Sequence, residues 1–258
     1  MSIKRDGHIH TPFCPHGSSD PFTAYIERAV SNGLHTITFT EHAPLPKGFQ
    51  DPVPDKDSSM AYEQLEQYLH TIDSLKKEYK QDITILTGLE IDYIEGFEKE
   101  TAEFLDSFGP QLDDSILSVH FLKAGHSYTC LDFSEESFAG LVDKTGSAEK
   151  TAQLYFQTLL HSIESDLGYY KPRRVGHMTL IKKFHQRYQD MNITKHIPPI
   201  LEAIHQRGMS LDYNGAGTAK PLCGEPYPSN DIAWQAKKRH PSYLRVGCPS
   251  SSRHDARS

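Results

Sequence analysis

Short apolar runs alternate along the chain with longer amphipathic segments, without an internal repeat or a low-complexity stretch. This is the rhythm of strands followed by helices. The first strand is predicted over Ile3 to Ile9. A helix follows over Pro21 to Asn32, where Ser19 or Asp20 can cap, Pro21 suits the first turn and Gly33 ends it. The second strand is predicted over His35 to Thr40, and a proline-rich loop runs from Ala43 to Ser58. Tyr62, Leu65, Leu69, Ile72, Leu75 and Tyr79 then recur at helical spacing as a core-facing stripe. Later strands are expected at Ile83 to Ile91, Ile116 to Phe121, Arg174 to Met178 and Met209 to Tyr213. Helices are expected over Phe97 to Phe108, within Ala148 to Leu167, and over Thr194 to Arg207. Six such units in succession predict an α/β barrel with parallel strands. After a helical stretch at Asp231 to Arg239 the pattern stops, and residues 240–258 are polar and rich in serine and arginine.

The strand ends carry the candidate chemistry. Alternation puts His8 and His10 on one face of the first strand, so both imidazoles can reach one ion. The loop beyond adds His16. The following strands end in Glu41-His42, Glu90, His120 and His177. Taken singly, each such histidine reads as an ordinary solvated or capping residue. Five consecutive strands delivering His or Glu to the end where an α/β barrel places its site make coincidence the poorer explanation. Imidazoles with a carboxylate suit zinc, manganese or iron, and Glu90 is the candidate to bridge two ions. Arg174, Lys182, Lys183 and Arg187, near the fifth strand, are candidate phosphate clamps, although each also reads as a surface charge; Arg174 and Lys183 are the preferred pair. Asp212 and Asn214 end the sixth strand and are candidates for substrate recognition, or simply strand-end caps. Cys14 lies near the metal motif and reads as a small packed side chain.

Composition narrows the field. The chain has 258 residues, 15 of them histidine against 27 lysines and arginines, and a net charge of -7. That histidine content favours metal chemistry, and the acidic balance argues against a nucleic-acid partner. The N-terminal residues hold no apolar run fit for a signal peptide, and no long apolar stretch could span a membrane, so a cytoplasmic protein is expected. Four scattered cysteines support neither a zinc ribbon nor a disulfide framework.

In order and spacing these motifs, with their surroundings DGHIHTPFCPHG, TFTEHAPLP, LTGLEIDYI, SVHFL, GHMTLIKKF and LDYNGAGTAKPLCGEPYPS, resemble the PHP phosphoesterases over residues 1–239, and are most similar to the histidinol-phosphatase branch. The resemblance implies a distorted (β/α)7 barrel holding two or three divalent ions. It implies hydrolysis of L-histidinol phosphate, a step of histidine biosynthesis, by a metal-bound water with no protein nucleophile. Carried onto this chain, His8, His10 and Glu90 would hold one ion, Glu90, His120 and His177 a second, and His16 with His42 a third.

The family also has an Asp-x-His motif at the end of its last strand, which residues 240–258 lack. Arg245 to Ser251 can be encoded so that reading one base later gives Gly-Ser-Asp-Ala-His-Gln. A frameshift shortly before His240 is therefore the expected origin of the tail, with the last strand missing or altered. Two other readings follow: a phosphoesterase of the same superfamily acting on another ester such as a nucleotide, or a metal-binding product with impaired catalysis.

Overall fold

The computed structural model describes residues 4–15, 17–239 and 244–246. Its elements in chain order are β1 (Arg5–Ile9), α1 (Phe22–Ser31), β2 (Thr36–His42), α2 (Leu65–Glu78), β3 (Thr84–Asp92), α3 (Glu98–Phe108), β4 (Ile116–Ser118), β5 (Phe121–Ala124), β6 (Ser127–Cys130), α4 (Glu135–Thr145), α5 (Ala148–Glu164), β7 (Arg174–Val175), α6 (Ile197–Gln206), β8 (Ser210–Tyr213), α7 (Asn230–Arg239) and β9 (Leu244–Val246), joined by several short 3-10 turns. Seven strands form one parallel sheet in the order β1-β2-β3-β4-β7-β8-β9. The sheet curls so that β9 approaches β1, but among the described residues no ladder joins them.

Parallel strands covered on both faces read as nearly continuous apolar runs. Accordingly β2 is buried from Ile37 to Glu41, and β3 from Thr87 to Asp92. Ile37, Phe39, Leu89, Leu117, Val175 and Leu211 enter one core together with Ile26 of α1, Ile72 of α2, Tyr155 of α5 and Ile200 of α6. Helix α5 starts where the Ser147 side chain accepts a hydrogen bond from Lys150 N, and α4 where Ser134 accepts from Ser137 N.

Three expectations need correction. The cap position of α1 is Pro21 itself, with no side-chain bond from Ser19 or Asp20. Tyr62 lies in a 3-10 turn, 57% exposed, and Tyr68 fills the core stripe in its place. The fourth strand ends at Ser118, and Phe121 opens a separate β5–β6 hairpin that was not foreseen. Its two-residue turn, Gly125-His126, uses the positive φ of Gly125, 66°. The last strand, expected to be missing or altered, is altered: Leu244–Val246 pairs in parallel with Leu211, Asp212 and Tyr213. Even this short run can dock, because the edge of β8 offers unpaired backbone groups. The remaining tail residues lie outside the described residues.

Gly88 sets the approach of β3 to its neighbours just before Glu90. A Cβ there would stand 1.9 Å from Asp114 O and 2.9 Å from Thr38 Cγ2. Gly88 O also accepts the buried Tyr68 hydroxyl at 2.8 Å. Gly88→Ala is therefore expected to destabilise the protein by about 1–3 kcal/mol or more through overpacking, read as a lowered denaturation midpoint; an unchanged midpoint would contradict this packing.

Candidate metal centre

The sheet presents its functional side chains at the C-terminal ends of successive strands. His8 lies in β1 and His10 directly after it, on the same side of the chain, and Glu90 and Asp92 share a face at the end of β3. Parallel register sets His42 of β2 beside Glu90. His120 follows β4 and His177 follows β7. The structure brings His8, His10, His42, His120 and His177 around Glu90, which is 1% exposed. His16 lies outside the described residues.

The two carboxylate oxygens of Glu90 serve different neighbours. Oε2 lies 3.1 Å from His8 Nε2, 3.3 Å from His10 Nε2 and 3.6 Å from His42 Nδ1. Oε1 lies 2.8 Å from His177 Nε2 and 3.8 Å from His120 Nε2, and accepts the Ser118 hydroxyl at 2.6 Å. Three compact triples of donor atoms result, each within 4.8 Å: His8-His10-Glu90, His42-Glu90-His120 and His10-Cys14-His42. One carboxylate with imidazoles on both of its oxygens has the form of a bridge between two ions.

Tautomers test whether a cation fits. His8 Nδ1 lies 2.8 Å from Asp212 Oδ2, and His120 Nδ1 lies 2.6 Å from Asp92 Oδ1. An ionised carboxylate can only accept, so each Nδ1 carries the proton and each neutral ring turns a bare Nε2 toward Glu90. Asn214 Nδ2 also lies 3.1 Å from His8 Nδ1, but the charged acceptor decides the tautomer. His8 Nε2 and His10 Nε2 stand 3.2 Å apart, both facing the same carboxylate oxygen. Such a convergence of lone pairs is satisfied by a cation, whether protons or metal ions. The donor set fits borderline divalent ions such as zinc, manganese or iron.

Without metal, protons take that role. Burial by itself would lower His8, but the carboxylates of Glu90 and Asp212 outweigh it and raise it to about 9. Burial likewise opposes His120, which Asp92 and Glu90 raise to about 10. Glu90 runs the other way: burial would raise it, yet His8 and His42 hold it well below the usual range. Burial raises Asp6 to about 7 and Glu41 to about 8.

The predicted phosphate clamps meet different fates. Arg174 is 1% exposed and its guanidinium donates to Asp212 Oδ1 at 2.8 Å, Gly7 O at 2.7 Å and Asp114 Oδ2 at 3.0 Å. Its position in substrate contact is corrected: opposite carboxylates from two other strand regions draw it beneath the cluster, where it braces Asp212 and through it His8. Asp212 is itself fully buried between Arg174 and His8, and so is not available for substrate recognition. Lys182 pairs with Glu225, and Arg187 pairs with Glu135 at the surface. Lys183 Nζ donates to Asp132 O at 2.5 Å and lies 3.4 Å from Asp132 Oδ2. Asp132 would be raised by burial, but Lys183, His120 and His177 hold it far below the usual carboxylate range. Sequence reasoning missed Asp92, Asp132 and Asp114. Only Asp92 left a signal, two residues beyond Glu90 on the same strand face.

With this geometry described, comparison with known proteins gives a consistent result. The model of the PHP domain matches residues 6–216. The histidinol-phosphatase of Bacillus subtilis is 50% identical over 92% of this chain and 89% of its own length, and a probable histidinol-phosphatase of Deinococcus radiodurans is 30% identical over 91% and 81%. A solved structure named for a histidinol phosphatase of Listeria monocytogenes superposes with a TM-score of 0.89 at 37% identity, covering 95% of this chain and 94% of that one. A histidinol phosphate phosphatase of Lactococcus lactis, solved with zinc, L-histidinol and phosphate, shares the fold with a TM-score of 0.71 at 22% identity, over 96% and 86%. A buried carboxylate ringed by strand-end histidines on a curled parallel sheet defines a class of metal-binding α/β proteins. Within it, the chain belongs to the PHP-domain family.

The proton count has a measurable consequence. An unfolded histidine titrates near 6.5, whereas His8 and His120 titrate in the folded, metal-free chain at about 9 and about 10. The folded state therefore holds extra protons, and the stability they contribute is fully present below pH 6.5 and lost as pH rises through 9 to 10. Asp6 and Glu41, raised to about 7 and about 8, act in the same direction at lower pH. Melting curves in chelator are expected to show the midpoint falling from pH 6.5 to pH 9. Metal-loaded protein is expected to resist this fall, because the ions replace the protons. A flat or rising midpoint in chelator would contradict the assignment.

Proposed function

We propose that this chain is a metal-dependent phosphoric monoester hydrolase that converts L-histidinol phosphate to L-histidinol and inorganic phosphate in histidine biosynthesis. The observation that carries the reading is Glu90, buried with imidazoles on both of its oxygens. The substrate is supported by 50% identity to the Bacillus subtilis histidinol-phosphatase over nearly the whole chain.

His8, His10, His42, Glu90, His120 and His177 would hold two or three divalent ions of zinc, manganese or iron, with His16 as a further ligand. Ions held there would supply Lewis acidity toward a phosphate ester and toward water. The chain itself supplies orientation. Asp92 and Asp212 fix the rings of His120 and His8, Ser118 holds one oxygen of Glu90, and Arg174 keeps Asp212 in place. Lys183, partly exposed beside Asp132, remains as the cation for the phosphate. No serine or cysteine nucleophile is required.

The partner is a small phosphate ester. A net charge of -7 gives no support to a nucleic-acid substrate. No helix among the described residues is long and apolar enough to cross a membrane. A cytoplasmic location is supported by the free thiols of Cys14, Cys130 and Cys223.

The tail forms a second part of the proposal. Residues 1–239 are read as the PHP unit and residues 240–258 as a tail that lends β9 to its sheet and whose letters fit a frame displaced by one base from one encoding Asp-Ala-His. The test compares phosphate release by the purified chain with that of a version restored by the one-base shift, each with manganese or zinc. L-histidinol phosphate is expected to be hydrolysed at least roughly tenfold faster than nucleotides, with the restored version the faster enzyme. Inactivity of both folded, metal-loaded proteins on this ester would overturn the substrate, and equal activity of the two would overturn the role given to the tail.

A further inference from the structure

Two of the rings around Glu90 have a carboxylate behind them: Asp212 lies 2.8 Å from His8 Nδ1, and Asp92 lies 2.6 Å from His120 Nδ1. His10 has none bonded to it. Its Nε2 faces Glu90 Oε2 at 3.3 Å, while its Nδ1 is buried without a hydrogen-bond partner. A neutral ring that gives Nε2 to an ion carries its proton on Nδ1, and a buried N–H without an acceptor is unfavourable.

A matching acceptor stands on the neighbouring strand. Glu41, near the end of β2, is wholly buried, and its Oε1 accepts the N–H of Thr11, the residue after His10. On the other side of His10, Ile9 donates its N–H to Thr40 Oγ1 at 3.2 Å, so bonds to Thr40 and Glu41 bracket the histidine. Beneath them, Glu41 N–H donates to the buried Tyr68 hydroxyl at 3.5 Å, which itself donates to Gly88 O at 2.8 Å. Oε2 of the carboxylate so fixed has no partner. Capping Thr11 accounts for one oxygen of Glu41 and leaves the other without a role.

We propose that Glu41 is a positioning residue for His10: in the metal-loaded chain its Oε2 accepts the Nδ1–H of His10, as Asp212 does for His8 and Asp92 for His120. The proposal rests on the metal-dependent reading above and leaves His10 with the ion assigned to His8, His10 and Glu90. Glu41 touches neither ion nor substrate in this role; it fixes the tautomer and the direction of the ring that does. Burial raises the Glu41 carboxyl to about 8 in the metal-free chain and the charge of His10 opposes that rise; a divalent ion on the ring pulls further toward the carboxylate. The Cys14 sulfur also lies within 4.8 Å of a His10 nitrogen, but a thiol is a weak acceptor beside a carboxylate.

The test uses the full chain grown with isotope-labelled histidine, beside Glu41→Gln and Cys14→Ala. Glutamine keeps an oxygen for the Thr11 N–H but turns an amide donor toward His10, so a role confined to capping Thr11 predicts no change. In the zinc-loaded wild type, proton–nitrogen ring spectra are expected to show His10 protonated on Nδ1 and protected from solvent exchange, its signals being identified by their absence from His10→Ala. Glu41→Gln should lose that protection while His8 and His120 keep theirs, and chelator competition should show one zinc position weakened by roughly 10–100-fold. Melting curves establish that the variant is folded, and the wild-type spectrum decides the question where it is not. A bare or freely exchanging His10 Nδ1 in the wild type, wild-type zinc affinity in folded Glu41→Gln, or protection lost in Cys14→Ala instead, would overturn this role alone. Failure of the wild type to bind zinc would overturn it together with the reading on which it rests.

Discussion

An ionised carboxylate is held in a protein interior only where positive charge or strong donors surround it. Glu90 meets that condition through five histidines delivered by four other strand ends and through the Ser118 hydroxyl. The arrangement requires parallel register between β2 and β3, the close approach at Gly88, and a sheet curled enough to bring β1 and β7 toward one point. Fold and site are thus one constraint: the sheet places the donors, and the shared charge gives their convergence a reason to persist.

A second layer of charge sits under the first. Asp114 receives Arg5 at 2.5 Å and Arg174 at 3.0 Å, Arg174 reaches Asp212, and Asp212 holds His8. Removing one member of such a buried set leaves an uncompensated charge, a loss of about 3–5 kcal/mol. The same contacts orient the His8 ring, so stability and ligand geometry depend on the same residues. Asp92 does the equivalent for His120 with a single bond.

Much of this was legible in the letters. Period-two alternation put His8 and His10 on one face, and the βα rhythm aligned the ends of five strands. These are local patterns that survive folding unchanged. The position of Arg174 was not legible, because it depends on Asp114 and Asp212, which come from distant segments. A long cation near a strand end looks the same whether it clamps a phosphate or braces a carboxylate. The β5–β6 hairpin was hidden because Phe121 continues the apolar run of β4, although Gly125-His126 carried a turn signal. Asp92 was passed over although it shares the strand face of Glu90. The last strand was legible only as missing or altered, because three residues are too few for periodicity to reveal, yet an open edge can still pair with them.

The central claim is that one carboxylate serves two ions. Metal content per folded chain, measured by elemental analysis after zinc loading of the wild type, Glu90→Gln and His177→Ala, tests it most directly. A shared ligand predicts that Glu90→Gln loses the ions on both sides of the carboxylate, whereas His177→Ala loses only the one on the Oε1 side. A folded Glu90→Gln protein that retains the wild-type zinc content would contradict the account.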